Sequence, residues 1–265
     1  MELARASERV STDDLAERFD VSPQTIRKDL NELCERGVLA RVHGGAVIAR
    51  GGTENLEYER RRGMASSEKE RIGLAAANMV PQRASLFLNI GTTTEAVARA
   101  LTGHQSLLVV TNNINVASTL CVRPEHEVVI AGGAVRASDG GIVGEATVDF
   151  INQFKVDYAI IGASAIDADG ALLDYDYREV RVAQAIMKNA RTVVLAADSS
   201  KLNRIAPVRI GHLSQVDIFI TDRLPSPALR RLCDQNDVLL HETDAQGEDT
   251  DVLTAAPTAE AVGSR

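Results

Sequence analysis

The chain has 265 residues, 45% of them hydrophobic, with 29 Lys and Arg against 37 Asp and Glu. That length and apolar content allow a sizeable core and suit two domains better than one. A formal net charge of -8 excludes general attraction to polyanions, so any contact with nucleic acid has to be local.

The first element is set by Ser11, followed three residues later by Asp14, a capping box that predicts a helix from Thr12 to Phe19. Leu15, Ala16 and Phe19 share one side of it and are expected to face a core. Asp20 and Val21 leave room for a tight turn only. Ser22 then caps a second helix with Pro23 at its first position, where a missing N–H costs nothing. Ile26, Leu30 and Leu33 face inward, and Gln24, Thr25, Arg27 and Lys28 crowd the outer N-terminal part. Gly37 stops the helix, and "VLARVHGGAVI" reads as two strands joined at His43-Gly44-Gly45. Two helices across a short turn followed by a hairpin make a winged helix-turn-helix over residues 1–49, whose second helix enters the DNA major groove. Ser22, Gln24, Thr25, Arg27 and Lys28 are the candidate DNA-binding residues. A solvated helix face is the plain alternative for Arg27 and Lys28, but cap, turn length, inward period and hairpin together favour the groove. His43 is left unassigned between a phosphate contact and a turn residue.

Residues 50–66 carry Gly51-Gly52, the arginines Arg60, Arg61 and Arg62, and no apolar period, which suits a linker whose basic trio could also touch DNA backbone. From Ser67, with Glu70 opening a helix, the pattern changes. "SLFLNI", "LLVVT", "EVVIAG", "DYAIIG", "TVVLAAD" and "VDIFIT" are apolar runs of strand length, several of them separated by helical stretches such as "TEAVARAL", "INVASTLC" and "REVRVAQAIMKNA". Residues 67–241 therefore read as an α/β domain with a mostly parallel, doubly wound sheet and a ligand beyond the strands' carboxyl ends.

Five strand ends release into small or polar residues, which nominates Gly91, Thr92, Thr93, Asn112, Asn113, Gly132, Gly133, Ser164, Asp198 and Lys201 as effector-binding. Glycine admits a backbone close to a ligand, helix-start N–H groups and hydroxyls hold an anion, and a lysine supplies countercharge. Each turn alone is explained by ordinary capping, and only their convergence suggests a phosphate pocket. No G-x-x-x-x-G-K-[ST], G-x-G-x-x-G or H-E-x-x-H is present, so no nucleotide cofactor and no metal are expected. "SDGGIVGEATVDF", residues 138–150, reads as a lid or ligand loop offering Asp139 and Glu145 to sugar hydroxyls, or as a solvated loop. Asp174, Asp176 and Glu179 form an acidic group that a helix start explains first. Residues 242–265, rich in Asp, Glu, Thr and Ala, read as a disordered tail.

Cys34, Cys121 and Cys233 form no C-x-x-C pair, which suggests neither a disulfide framework nor a zinc site and points to a reducing cytoplasm. No stretch approaches the ~20 apolar residues of a membrane span, and the start lacks a signal pattern. A cytoplasmic protein without a membrane partner is the expectation.

The runs "VSTDDLAERFDVSPQTIRKDLNEL", "RVHGGA", "NIGTTTEAVA", "VTNNINVA", "AGG", "GGIVGEATVDFI", "GASAID" and "ADSSK" resemble the DeoR family of transcriptional repressors from residue 3 to about 241. The resemblance implies a sensor domain related to sugar-phosphate isomerases, with phosphate held by Gly91, Thr92, Thr93 and Lys201. It also implies a double-stranded DNA operator read by the helix containing Thr25, Arg27 and Lys28. "TNNINVASTL", "GGIVGEATVDFINQF" and "DYDYREVR" are most similar to the members that respond to glycerol 3-phosphate, which makes that compound the favoured effector. The family usually carries a longer first helix ahead of "VST", where only "MELARASER" stands here, so a truncated helix or a start further upstream is expected. A homo-oligomer is expected from the paired half-sites such proteins bind. The competing functional classes are a sugar-phosphate isomerase-like enzyme with an accessory DNA-binding domain, using Asp139, Glu145 or Asp198 as base, and an α/β domain that serves only as an oligomerisation scaffold. The winged N-terminal domain favours the repressor.

Overall fold

The computed structural model describes residues 9–35, 39–42, 44–48 and 58–244. Gly37, His43, Gly51-Gly52 and the tail from 245 onward lie outside the described residues.

The N-terminal unit opens with strand β1 (Arg9–Ser11), too short to leave a period in the sequence. Helix α1 (Thr12–Phe19) follows, with the expected bounds, because the Ser11 hydroxyl accepts from the N–H groups of Asp13 at 3.2 Å and Asp14 at 3.4 Å. Asp20, at a φ of 53°, turns the chain, and α2 (Pro23–Glu35) starts where Ser22 Oγ accepts from the Thr25 N–H at 3.2 Å. Strands β2 (Leu39–Val42) and β3 (Gly45–Ile48) form the expected hairpin, and β1 adds to it antiparallel in the order β1-β3-β2. Val10, Ala16, Ile26, Leu30 and Ala46 make the core, with Leu15, Leu33 and Cys34 against it. Phe19 corrects the helical-face reading: it is 58% exposed, because β1 and the hairpin fill the space beside Ala16 and leave the last turn of α1 at the rim.

Residues read as a linker contain a helix, α3 (Tyr58–Gly63). The next, α4 (Ser66–Met79), corrects a cap: Ala65, with a φ of 49°, stands at the N-cap without a side-chain bond, and the Ser67 hydroxyl donates to Glu68. There follow β4 (Ser85–Leu88), α5 (Thr92–Leu101), β5 (Leu108–Thr111), α6 (Ile114–Leu120) and β6 (Glu127–Ile130). Next come β7 (Ala134–Arg136), β8 (Gly141–Val143), α7 (Glu145–Ile151) and β9 (Val156–Ile161). Residues 138–150 are thus not a lid: they close the antiparallel β7-β8 hairpin and run into α7, with Glu145 exposed on its first turn. The chain continues through β10 (Ala165–Ile166), β11 (Ala171–Asp174), α8 (Tyr177–Lys188), β12 (Ala190–Ala196) and β13 (Val208–His212). It ends in β14 (Ile218–Thr221), α9 (Pro227–Gln235) and β15 (Leu239–Glu242), the last of which carries the sheet one residue past the expected boundary at 241.

Seven strands form one parallel sheet in the order β15-β14-β12-β9-β4-β5-β6, six of them at the predicted apolar runs and the edge strand β15 in addition. Alternate residues of one strand serve opposite faces: Leu86 and Leu88 join a core built with α4, α5 and α6, and Phe87 joins the core under α7, α8 and α9. Helix α4 crosses α5 at Gly73, where a Cβ would stand 2.7 Å from the Ala96 carbonyl carbon, so only glycine allows that approach. From β4 the chain winds outward through β5 and β6, then returns to β4's other side as β9 and winds away through β12. The strand order therefore reverses between β4 and β9, where doubly wound sheets open a crevice at their carboxyl ends.

Candidate functional site

At the crevice, β4 ends in Asn89 and Ile90 and turns through Gly91, whose φ is 148°, into α5. The Thr94 hydroxyl locks this turn by donating to the carbonyl oxygens of Asn89 and Gly91, both at 2.8 Å. Gly91 has no side chain to cap α5, so the helix's first N–H groups remain for another acceptor. The buried Thr92 and Thr93 make no side-chain hydrogen bond among the described residues.

Across the crevice, β12 releases into Asp198, which starts a 3₁₀ turn over Ser199–Asn203 and presents the buried Lys201. Asp198 Oδ1 accepts from the N–H of Ser200 at 3.2 Å, and its Oδ2 is buried without a hydrogen bond. Burial opposes ionisation of Asp198, but Lys201, the Ser200 hydroxyl, Lys69 and Arg204 hold its carboxyl below the usual range. Burial, with Arg204, Lys69 and Arg61 repelling it, pulls the Lys201 ammonium down to about 7 despite Asp198. The same causes lower Lys69, which is only 4% exposed. Lys69, Lys201 and Arg204 thus gather around Asp198, with Arg61 close enough to repel both lysines but paired to Asp139. The Lys201 ammonium makes no hydrogen bond among the described residues. Asn89 Oδ1 and Asn112 Oδ1, at the ends of β4 and β5, are also buried and unpartnered.

A second network lies beside the first. Arg136 donates to Asp139 Oδ2 at 2.6 Å, Glu179 Oε2 at 2.5 Å and Asp176 Oδ2 at 3.2 Å, and Arg61 reaches Asp139 at 3.3 Å. Burial opposes the charge of Asp139, but Arg136, the Gly141 N–H and Arg61 keep its carboxyl below its ordinary value. Burial and the neighbouring Asp174 push Glu179 up, and burial does the same to Asp174. Asp139 is therefore an arginine partner, not a free ligand for hydroxyls. Asp176 caps α8, so the helix start explains part of the acidic group, and Arg136 explains why Glu179 is buried.

The predicted residues separate into three sets. Gly91, Thr92, Thr93, Ser164, Asp198 and Lys201 sit at the ends of β4, β9 and β12, around the reversal of strand order. Asn112 and Asn113 end the adjoining β5 and are partly committed: Asn112 Nδ2 donates to the Ile142 carbonyl, and Asn113 caps α6 and donates to Glu95. Gly132 and Gly133 end the edge strand β6, four strands from β12, where a Cβ on Gly133 would meet Thr147 Oγ1 at 2.2 Å. Their visible role is to seat α7. The sequence reading left Arg61 in the linker's basic trio and did not single out Lys69 or Arg204, because no local spacing ties a helix start, a linker and a turn to one crevice. An open depression of about 530 Å³ between α8 and β13, lined by Gln184, Met187 and Arg209, lies near the opposite edge, where Lys188 ends α8 just before β12 begins.

In the N-terminal unit Ser22, Gln24, Thr25, Arg27 and Lys28 are all exposed on the first turns of α2, with Ile26 and Leu30 buried behind them. Ser22 and Thr25 share a hydroxyl contact at 2.9 Å, and Arg27 Nη1 lies 3.5 Å from Gln24 Oε1.

Residues 1–50 match a DeoR-like helix-turn-helix domain and residues 64–223 a DeoR C terminal sensor domain. The glycerol-3-phosphate regulon repressor of Escherichia coli (strain K12) is 46% identical over 240 residues, covering 91% of this chain and 95% of that protein. The repressor of the same name from Haemophilus influenzae is 48% identical over 240 residues, covering 91% and 93%. A ribose 5-phosphate isomerase structure from Methanocaldococcus jannaschii aligns over 52% of this chain and 55% of its own, at 16% identity and a TM-score of 0.38.

Proposed function

The chain belongs to the DeoR family of transcriptional repressors, and from that premise we propose that glycerol 3-phosphate is the effector that releases it from its operator. The observation that carries this reading is the gathering of Lys69, Lys201 and Arg204 around Asp198 at the reversal of strand order. Two buried lysines and a half-buried arginine against one buried carboxylate favour an anion, and a phosphate dianion also takes the open N–H groups and hydroxyls of Thr92 and Thr93. Gly91 lets the phosphoryl group approach the start of α5. Ser164, just past the end of the neighbouring β9, hydrogen-bonds Asp174 and is proposed to line the part of the site that takes the remainder of a short effector. The names of the similar proteins favour glycerol 3-phosphate over larger sugar phosphates and favour a regulator over a catalyst.

Ser22, Gln24, Thr25, Arg27 and Lys28 form the operator-reading surface in this account, and the protein acts as a homo-oligomer, because winged helices read paired half-sites through protein symmetry. Its mass in solution, set against 28.5 kDa for one chain, checks the assembly. Calorimetric titration tests the effector: glycerol 3-phosphate should bind at micromolar to millimolar concentration, inorganic phosphate more weakly, and glycerol not at all. Equal affinity for glycerol and glycerol 3-phosphate would refute a phosphate-anchored site.

A further inference from the structure

Helix α3 lies on the covalent path from the DNA-binding unit to the sensor, and it is fastened to the candidate site at both ends. At its start the Tyr58 hydroxyl donates to Glu95 Oε2 at 2.7 Å, in the first turn of α5, and accepts from Asn115 Nδ2 at 3.1 Å, in α6. One turn on, Arg61 Nη2 meets Asp139 Oδ2 at 3.3 Å. At its end the carbonyl oxygens of Arg61 and Met64 both accept from Lys69 Nζ, the second at 2.6 Å, and the Met64 sulfur lies 3.9 Å from Arg204 Nη2. Six helical residues rise about 9 Å, close to two strand spacings of about 4.8 Å each. The start of α3 therefore contacts α5 and α6, and the segment at its end contacts α4 and the turn after β12.

We propose that α3 is a strap whose fastening the effector undoes, so that the sensor site controls the DNA-binding unit through Tyr58, Arg61 and Lys69. The strap and the anion draw on the same groups. Lys69 gives its ammonium to two neutral carbonyls of the strap, and a phosphate dianion attracts an ammonium more strongly than carbonyls do. Binding draws Lys69 off the strap and pulls Arg204 from Met64. An effector shifts a protein only through different affinities for two states, and competition for Lys69 supplies that difference. The fastened form is then the operator-binding form. This inference rests on reading the site as a glycerol 3-phosphate sensor.

The test is Tyr58→Phe in the full-length protein, which keeps the ring and removes the hydroxyl contacts to Glu95 and Asn115. Without ligand its operator Kd should rise about fivefold, the low end of ordinary coupling. At saturating glycerol 3-phosphate its operator Kd should equal that of the parent, and it should bind glycerol 3-phosphate more tightly, an outcome that structural damage would not give. In the parent, amide exchange over residues 58–64 should quicken when glycerol 3-phosphate saturates the site. Normal ligand binding combined with an unchanged operator Kd in Tyr58→Phe, or with unchanged exchange in the parent, overturns the strap alone. Failure of glycerol 3-phosphate to bind either protein overturns the sensor reading and the strap with it.

Discussion

Lys201→Ala is expected to hold operator DNA as tightly as the parent protein and to resist release by glycerol 3-phosphate. The side chain is 7% exposed, lies beside Asp198, and makes no hydrogen bond among the described residues. Losing one charge-assisted hydrogen bond to a phosphate costs about 1.5–3 kcal/mol, which moves the release curve to roughly 10- to 150-fold higher ligand concentration. Protonation gives the same prediction a second signature. With the ammonium lowered to about 7 in the free protein, a dianion must recharge it on binding, so affinity falls as pH rises above 7. The ligand's own second ionisation lies near pH ~6 and is complete in that window, so Lys201→Ala should bind weakly with a flat profile there. The stability linkage has the opposite sign. An unfolded lysine takes up its proton at higher pH than the buried one, so stability falls as pH drops from the ordinary lysine range toward 7. Release curves that coincide for parent and Lys201→Ala would reject the phosphate contact, and loss of operator binding would mark structural damage.

The second large effect belongs to the other domain. Arg27→Ala should weaken specific operator binding by about 1–3 kcal/mol if Arg27 reads a base edge. Arg27 is exposed on the first turns of α2, where recognition helices present their base contacts, and its immediate partner is Gln24 at 3.5 Å, a contact easily exchanged for DNA. Glycerol 3-phosphate affinity should stay at the parent value, because nothing in the sensor site touches α2 among the contacts described above. Operator affinity unchanged in a folded Arg27→Ala protein would return the residue to the role of a solvated helix face.

The sequence made local features legible and left long-range ones hidden. Ser11, Ser22 and Pro23 mark helix starts by their own chemistry, so the bounds of α1 and the start of α2 were readable to the residue. The apolar runs from "SLFLNI" to "VDIFIT" revealed the parallel strands, because strands buried on both faces must be apolar throughout. Phe19 was misread because helical period names a face but not where the covering elements end. Lys201 and Gly91 could be nominated because each stands in the short turn that follows a strand. Lys69 and Arg61 could not, since a helix start and an arginine run gain meaning only when the strand order brings them together. The same holds for Arg136, whose three carboxylate partners lie 3, 40 and 43 residues away in sequence. Residues 138–150 were open to a lid reading because a two-strand hairpin of glycine-rich sequence has almost no pattern of its own.

The measurement that bears most directly on the whole account is binding to DNA from upstream of the protein's own gene, followed by fluorescence anisotropy as glycerol 3-phosphate is added. Saturable binding that is lost over a defined range of glycerol 3-phosphate, with glycerol and ribose 5-phosphate ineffective at the same concentrations, is the predicted result. Operator binding that glycerol 3-phosphate leaves untouched while another small phosphate abolishes it would contradict the effector assignment.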